Sequence, residues 1–116
     1  MTHTVTLLAN HKGITSPRVV GDEYVVDANI NITSYTEDGE VITAASLGLD
    51  TITAVVLTGA ETASGVALER FVVELSTAGE YASSSSFKLV GTTASSGAES
   101  ANSDLGMIRV RVYGNL

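Results

Sequence analysis

His3 and His11 are the only imidazoles in the chain, and both fall in its irregular first stretch. A nucleophile–base pair or an imidazole-rich metal site needs its groups held on a rigid scaffold, so solvated surface histidines are expected. Ser83 to Ser86 form a run, yet no Gly-x-Ser-x-Gly elbow surrounds them, and a flexible polar loop accounts for them. No glycine-rich phosphate loop ending in Lys-Ser/Thr is present. Carboxylates cluster at Glu37, Asp38 and Glu40, and Asp22-Glu23 precede a regular segment. Oxygen-rich loops attract hard cations. Glu37-Asp38-Gly39-Glu40 nevertheless lacks the ligand spacing of a calcium loop, and a solvated hairpin tip is the simpler expectation. Nothing places two carboxylates on facing strands of a cleft, as glycoside hydrolysis needs. With no tryptophan and 5% aromatic residues, a sugar-stacking platform is poorly supplied. The chain therefore reads as a non-enzyme, with no catalytic residue, no cofactor and no metal site.

Surface recognition is better represented. Arg109, Arg111 and Tyr113 recur at period two, which in a strand puts them on one side, about 7 Å apart. Arg and Tyr are enriched at the energetic centres of protein interfaces. Two readings stand side by side: a partner-binding stripe, or cross-strand pairing with Asp27 or Glu74 inside the sheet. A second candidate is the N-terminal segment, where Lys12 and Arg18 occur without any acid before residue 21. That segment, 1–20, offers a short strand at Thr4–Leu8 interrupted by Asn10, Gly13 and Ser16-Pro17, and as a whole reads either as a loosely ordered lead-in or as an arm that lays its two cations on an acidic patch of a neighbour.

The elements that must position these residues are strands. In Val25–Thr33, Val26, Ala28, Ile30 and Ile32 alternate with Asp27, Asn29 and Asn31, the signature of a half-buried strand. Asp38-Gly39 marks a reversal. Thr43 to Gly48 reads as one helical turn, capped by Thr43, ended by Gly48 in the left-handed conformation, and anchored by Leu47 and Leu49. Ile52–Leu57 is a nearly continuous apolar run, expected to be covered on both faces. Further strands are expected at Val66–Leu75, with Phe71, Val73 and Leu75 inward, at Phe87–Val90, and at Met107–Tyr113, with Ile108, Val110 and Val112 inward. Between them lie small-residue loops at Gly59–Gly65, Thr77–Ser86 and Gly91–Asp104; the last has the length of a functional loop. Many short strands, turns and a single helical turn predict an all-β chain, a single-domain β-sandwich or jelly roll spanning 21–116.

Composition narrows the function classes. The chain has 116 residues, room for one core. It is 44% hydrophobic and 16% charged, which excludes intrinsic disorder and is apolar enough for some surface to serve partners. The net charge of −7 disfavours nucleic acid. That charge is uneven: +2 over residues 1–20, and −9 over the rest, where thirteen acids face four basic residues. Without cysteine there is no disulfide framework. No signal-peptide pattern opens the chain and no apolar stretch approaches the roughly 20 residues that span a bilayer, so a soluble chain made without export or membrane contact is expected.

Three stretches carry a resemblance. Val25-Val26-Asp27-Ala28-Asn29-Ile30-Asn31-Ile32 is followed by Glu40-Val41-Ile42-Thr43-Ala44-Ala45-Ser46-Leu47-Gly48-Leu49, which leads into Ile52-Thr53-Ala54-Val55-Val56. The third stretch is Leu105-Gly106-Met107-Ile108-Arg109-Val110-Arg111-Val112-Tyr113-Gly114. Together they resemble the small head decoration (cement) proteins of tailed bacteriophages. In those proteins a strand, a G-E-x-(L/I)-T-A-A-D-L-G-L turn and another strand recur, and an L-x-x-(I/L)-x-V-R-V-x-G strand closes the chain. Ser46 stands where an acid is commoner. The resemblance covers about residues 23–57 and 105–114. It implies a jelly-roll-like sandwich that docks on the outer face of the virion capsid, as a homo-oligomer (dimer or trimer) bridging major capsid protein subunits. The expected contacts are Lys12, Arg18, Arg109, Arg111 and Tyr113. A receptor- or glycan-binding module of a phage tail or fibre, recognising through the 77–86 and 91–104 loops, is the alternative.

Overall fold

The computed structural model describes residues 3–61, 69–75, 84–93, 96–100 and 104–116. Eight strands run in chain order: β1 (His3–Leu8), β2 (Arg18–Val20), β3 (Glu23–Ile32), β4 (Glu40–Thr43), β5 (Thr51–Glu61), β6 (Glu69–Leu75), β7 (Ser86–Thr93) and β8 (Gly106–Asn115). They form two antiparallel sheets. The larger has the order β1-β3-β8-β5, with β2 also on β3; the smaller has the order β4-β7-β6. Chain and space thus run differently: β3 pairs with β8, β4 with β7, and the chain crosses between sheets at each step from β3 to β6. Successive strands folded across two sheets in this way give the jelly-roll-like all-β sandwich the alternating pattern predicts.

The core lies between the sheets and is built by the period-two alternation. Val26, Ala28, Ile30 and Ile32 of β3 and Ile108, Val110 and Val112 of β8 are fully buried, against Phe87 and Leu89 of β7 and Ile42 of β4. The 3-10 turn Ala45–Leu47 plugs one end, with Leu47 buried beneath it. Gly48 ends it at φ 79°, and its N–H donates to the Ala45 carbonyl, a conformation that favours glycine. Ala44 occupies the cap position by backbone; the Thr43 hydroxyl, one residue earlier, accepts from the Ser46 N–H at 3.3 Å. The two sheets are also joined through main chain, since Ile52 N–H donates to Ser84 at 2.7 Å and Ser84 N–H returns a bond at 3.0 Å.

Four expectations change. First, β5 is an edge strand rather than a covered one. Among the described residues β8 is its one strand neighbour, apart from the isolated bridge Ile52↔Ser84; Val56 is 48% exposed and Leu57 is also exposed, and register shifts at Ile52/Ala54 and Leu57/Gly59 interrupt the ladder. An apolar run reports burial potential but not the number of neighbours a strand will have. Second, residues 1–20 contribute two strands to the sheet. β1 pairs with residues 27–32 of β3 and β2 with residues 23–25, so together they line one edge of β3. Third, the 33–39 turn is a corner between sheets rather than a hairpin tip, because β3 and β4 belong to different sheets. Fourth, the first part of the Val66–Leu75 segment and most of the Gly59–Gly65 and Thr77–Ser86 loops lie outside the described residues, whereas Gly59, Ala60 and Glu61 continue β5.

The corner is held by two carboxylates. Glu40, fully buried at its side chain, accepts the Thr36 N–H at 2.6 Å and the His3 Nδ1–H at 2.7 Å. Glu99, brought in by the bridge Thr92↔Glu99, accepts the Asp38 N–H at 2.7 Å and the Tyr35 hydroxyl at 2.5 Å. Asp38 takes φ 75°, a left-handed conformation that short polar side chains tolerate. Two expectations are thereby corrected: Glu40 is not part of a solvated tip, and His3 is a partner of a buried acid rather than a free surface imidazole.

Burial, reinforced by the hydrogen bond to Glu99, pushes the Tyr35 phenol from its ordinary 10 up to about 12. A raised folded-state value means the contribution to stability is complete below the ordinary value and is lost as pH rises toward about 12, where the unfolded chain releases the proton first. Thermal midpoints measured from pH 9 to 12 should therefore fall less steeply in Tyr35→Phe than in the parent chain.

Candidate partner-binding surface

Antiparallel register places side chains of the larger sheet in rows across its outer face. One row runs Leu8, Asp27, Arg111, Val56; the next runs Thr6, Asn29, Arg109, Gly59; a third runs Thr4, Asn31, Met107, Glu61. At the other end Arg18, Val25, Tyr113 and Ala54 align. Arg109, Arg111 and Tyr113 thus share one side, as their spacing predicts, and β2 brings Arg18 to the same face. Lys12 stands apart, in the exposed 9–17 loop. That loop is fastened by Asn10, whose Oδ1 accepts the Lys12 and Ile14 N–H groups at 2.9 and 3.0 Å.

Asp27 organises this face. Its carboxylate accepts Arg111 Nε at 2.8 Å and Arg111 NH2 at 3.1 Å, a bidentate fork, and Arg18 NH2 at 3.2 Å. The Arg111 hydrogen bond, opposed by partial burial and aided by the charges of Arg111 and Arg18, holds the Asp27 carboxyl below its ordinary 3.8. For Arg111, the pairing within the sheet is therefore realised, and Asp27 rather than Glu74 is the partner. A planar fork on a carboxylate is the geometry that makes arginine irreplaceable by lysine.

The depressed value sets an acid dependence. Stability from Asp27 is present above the ordinary carboxylate range and is lost as pH falls through the lower folded-state value. Asp27→Asn should lower unfolding free energy by about 1–2 kcal/mol at pH 7. The difference from the parent should shrink as pH falls through and then below the ordinary 3.8; urea titrations at pH 7 and in acid check both halves.

Arg109 is different. Its row neighbours are Asn29 and Gly59, and among the described residues it has no carboxylate partner. Shallow grooves run on either side of it, one lined with Asn29, Gly59 and Met107, the other with Asp27, Thr58 and Arg111. Tyr113 is half-buried beside Arg111. The face can therefore offer a free guanidinium, neutral amides and hydroxyls, and the exposed side chains of Val56 and Met107.

The smaller sheet also has an open outer side, where Val41 and Val72 are exposed, Val72 by 54%. Among the described residues no three His, Asp or Glu side chains gather in a way that would hold a metal ion. Two corner-forming side chains are not found from the sequence: Glu99 gives no local signal, and Glu40 reads as part of a solvated acidic cluster. Their distant partners, His3 for Glu40 and Tyr35 for Glu99, lie 37 and 64 residues away, so period and motif do not point to them. No family model, curated protein or solved structure matches this chain.

Proposed function

We propose that the chain is a virion structural protein, a decoration protein that binds the outside of a tailed-phage head and bridges neighbouring major capsid subunits. The observation that carries this reading is the outer face of the larger sheet, a broad surface of Asn, Thr, Arg, Tyr and exposed apolar side chains. Its framework is also the part of the chain that bears the resemblance. The quoted stretches are the strands β3, β4, β5 and β8 and the corner at Ala45–Leu47, so the likeness describes a scaffold.

The role asks for no catalysis. A protein that clamps capsomers under internal pressure needs a stable sandwich and several contact patches. When one copy touches two subunits, its second contact becomes effectively intramolecular, and modest contacts sum to firm attachment. Oligomerisation multiplies the same effect. A net charge of −7 keeps the protein off packaged DNA.

Cryo-EM of the particle that encodes the chain tests this directly. The sandwich is expected as density on the outer head surface, straddling the seams between capsomers. Density inside the tail, or failure of the chain to co-purify with heads, overturns the proposal. Binding on a glycan array or to host cells would support the receptor-binding alternative instead.

A further inference from the structure

Three of the chain's four arginines converge on the irregularity in β5 at Thr58 and Gly59. Thr58 lines a shallow cleft with Arg109 and Arg111, and it also lines the groove between the two sheet edges together with Arg70 and Phe71. Arg111 is engaged by Asp27. Arg109 and Arg70 have no ion-pair partner among the described residues. The charged side chains that line these clefts, Arg70, Arg109 and Arg111 against Asp27 and Glu61, sum to +1 in a chain whose total is −7.

Shape agrees with charge. Gly59 stands beside Arg109 in the row across the sheet, and a Cβ there would lie 3.9 Å from the Arg109 Cβ. With hydrogen alone at that position, no side chain of Gly59 packs on Arg109, which is exposed. β5 is the last strand of its sheet, so its outer main-chain N–H and C=O groups face away from β8. Among the described residues nothing pairs with that side of β5 at Thr58–Gly59, and an edge of this kind selects extended chain, through main-chain hydrogen bonds. A guanidinium fork selects carboxylate.

We infer that the β5 edge around Thr58–Gly59 receives an extended, acidic segment of a partner protein, whose carboxylates meet Arg109 and Arg70. The inference rests on the reading of this face as a protein-binding surface and adds the chemistry of what it binds. Glu61 lines the neighbouring cleft with Asn29, Met107 and Arg109 and sets the direction: the acids of the segment lie beside Thr58 and Gly59, and not beyond Ala60.

The test is an amide-resolved NMR titration of the full chain at low ionic strength with a short peptide of alternating Glu and Thr. Shifts are expected at Thr58, Gly59 and Arg109, with affinity reduced about tenfold in Arg109→Glu and in Arg70→Glu. Either variant that keeps the parent's dispersed spectrum is sufficient. Unchanged affinity in both variants, or shifts confined to other surfaces, overturns the inference. The same titration with dextran sulfate and with single-stranded DNA distinguishes the source of the anion. Binding of either about tenfold tighter than the peptide also overturns the assignment to a protein segment. Sedimentation with heads separates the two proposals. If the parent binds heads and Arg109→Glu binds them equally, this inference fails and the decoration role stands. If the parent does not bind heads but the peptide titration succeeds, the decoration role fails and the acidic-segment site stands.

Discussion

Glu40→Ala is expected to lower unfolding free energy by about 2–4 kcal/mol, from the cavity it leaves and the hydrogen bonds it loses. The carboxylate is fully buried and joins three parts of the fold: its own strand β4, the corner at Thr36, and His3 at the start of β1. Removing it leaves the part-buried Thr36 N–H without this acceptor, a partly exposed imidazole facing a void, and a cavity where the side chain stood. Glu40→Gln keeps an acceptor for Thr36 but turns an amide NH2 toward His3 Nδ1, whose ring must take the other tautomer to accept it, so its cost should fall below that of alanine. His3→Ala should cost least, because its ring is partly exposed and water replaces what it loses. Urea unfolding with unchanged slope and a reduced midpoint checks the order. A loss under about 1 kcal/mol for Glu40→Ala would show that the corner does not depend on this acid.

Gly114→Ala is the second large effect, about 3 kcal/mol. Gly114 lies in β8, paired with Ile52 of β5 and Tyr24 of β3. A Cβ there would run into the Thr51 carbonyl oxygen and press on Leu49. The obstacle is main chain, which cannot rotate aside as a side-chain tip does. Relief requires β5 to move off β8 at the irregularity where Thr53 bonds Glu23 and the Tyr113 carbonyl. Gly59→Ala is the matched comparison, since its new methyl meets only ordinary contact distance, and it should change stability by no more than about 0.5 kcal/mol. Equal midpoints for the two variants would mean that the close approach at Gly114 carries no constraint.

The strands were legible because burial on one face writes a period of two into β3 and β8, and because glycine at position 48 meets a conformational demand of its own. What escaped was everything decided by which strands become neighbours. Val55 and Val56 look alike in sequence, yet Val55 turns toward the core and Val56 toward solvent on an edge strand. Glu40 sits in an acidic tetrad that reads as solvated, and only the crossing from one sheet to the other takes it inside. Glu99, in a stretch of small residues, is recruited by pairing with Thr92. The stripe of Arg109, Arg111 and Tyr113 was visible as a shared side. The division of labour within it, Arg111 bound to Asp27 and Arg109 without an ion-pair partner among the described residues, depends on a register that no local pattern encodes.

The central place of β8 has a consequence for synthesis. Residues 106–115 lie between β3 and β5, so a nascent chain stalled upstream of them holds two long strands with no shared neighbour and a half-formed apolar layer. Such a chain has its most distant contacts still to make, the arrangement that slows folding and favours aggregation. Assembly of the larger sheet must therefore wait until this segment leaves the ribosome, and fragments ending before Gly106 should accumulate as insoluble material.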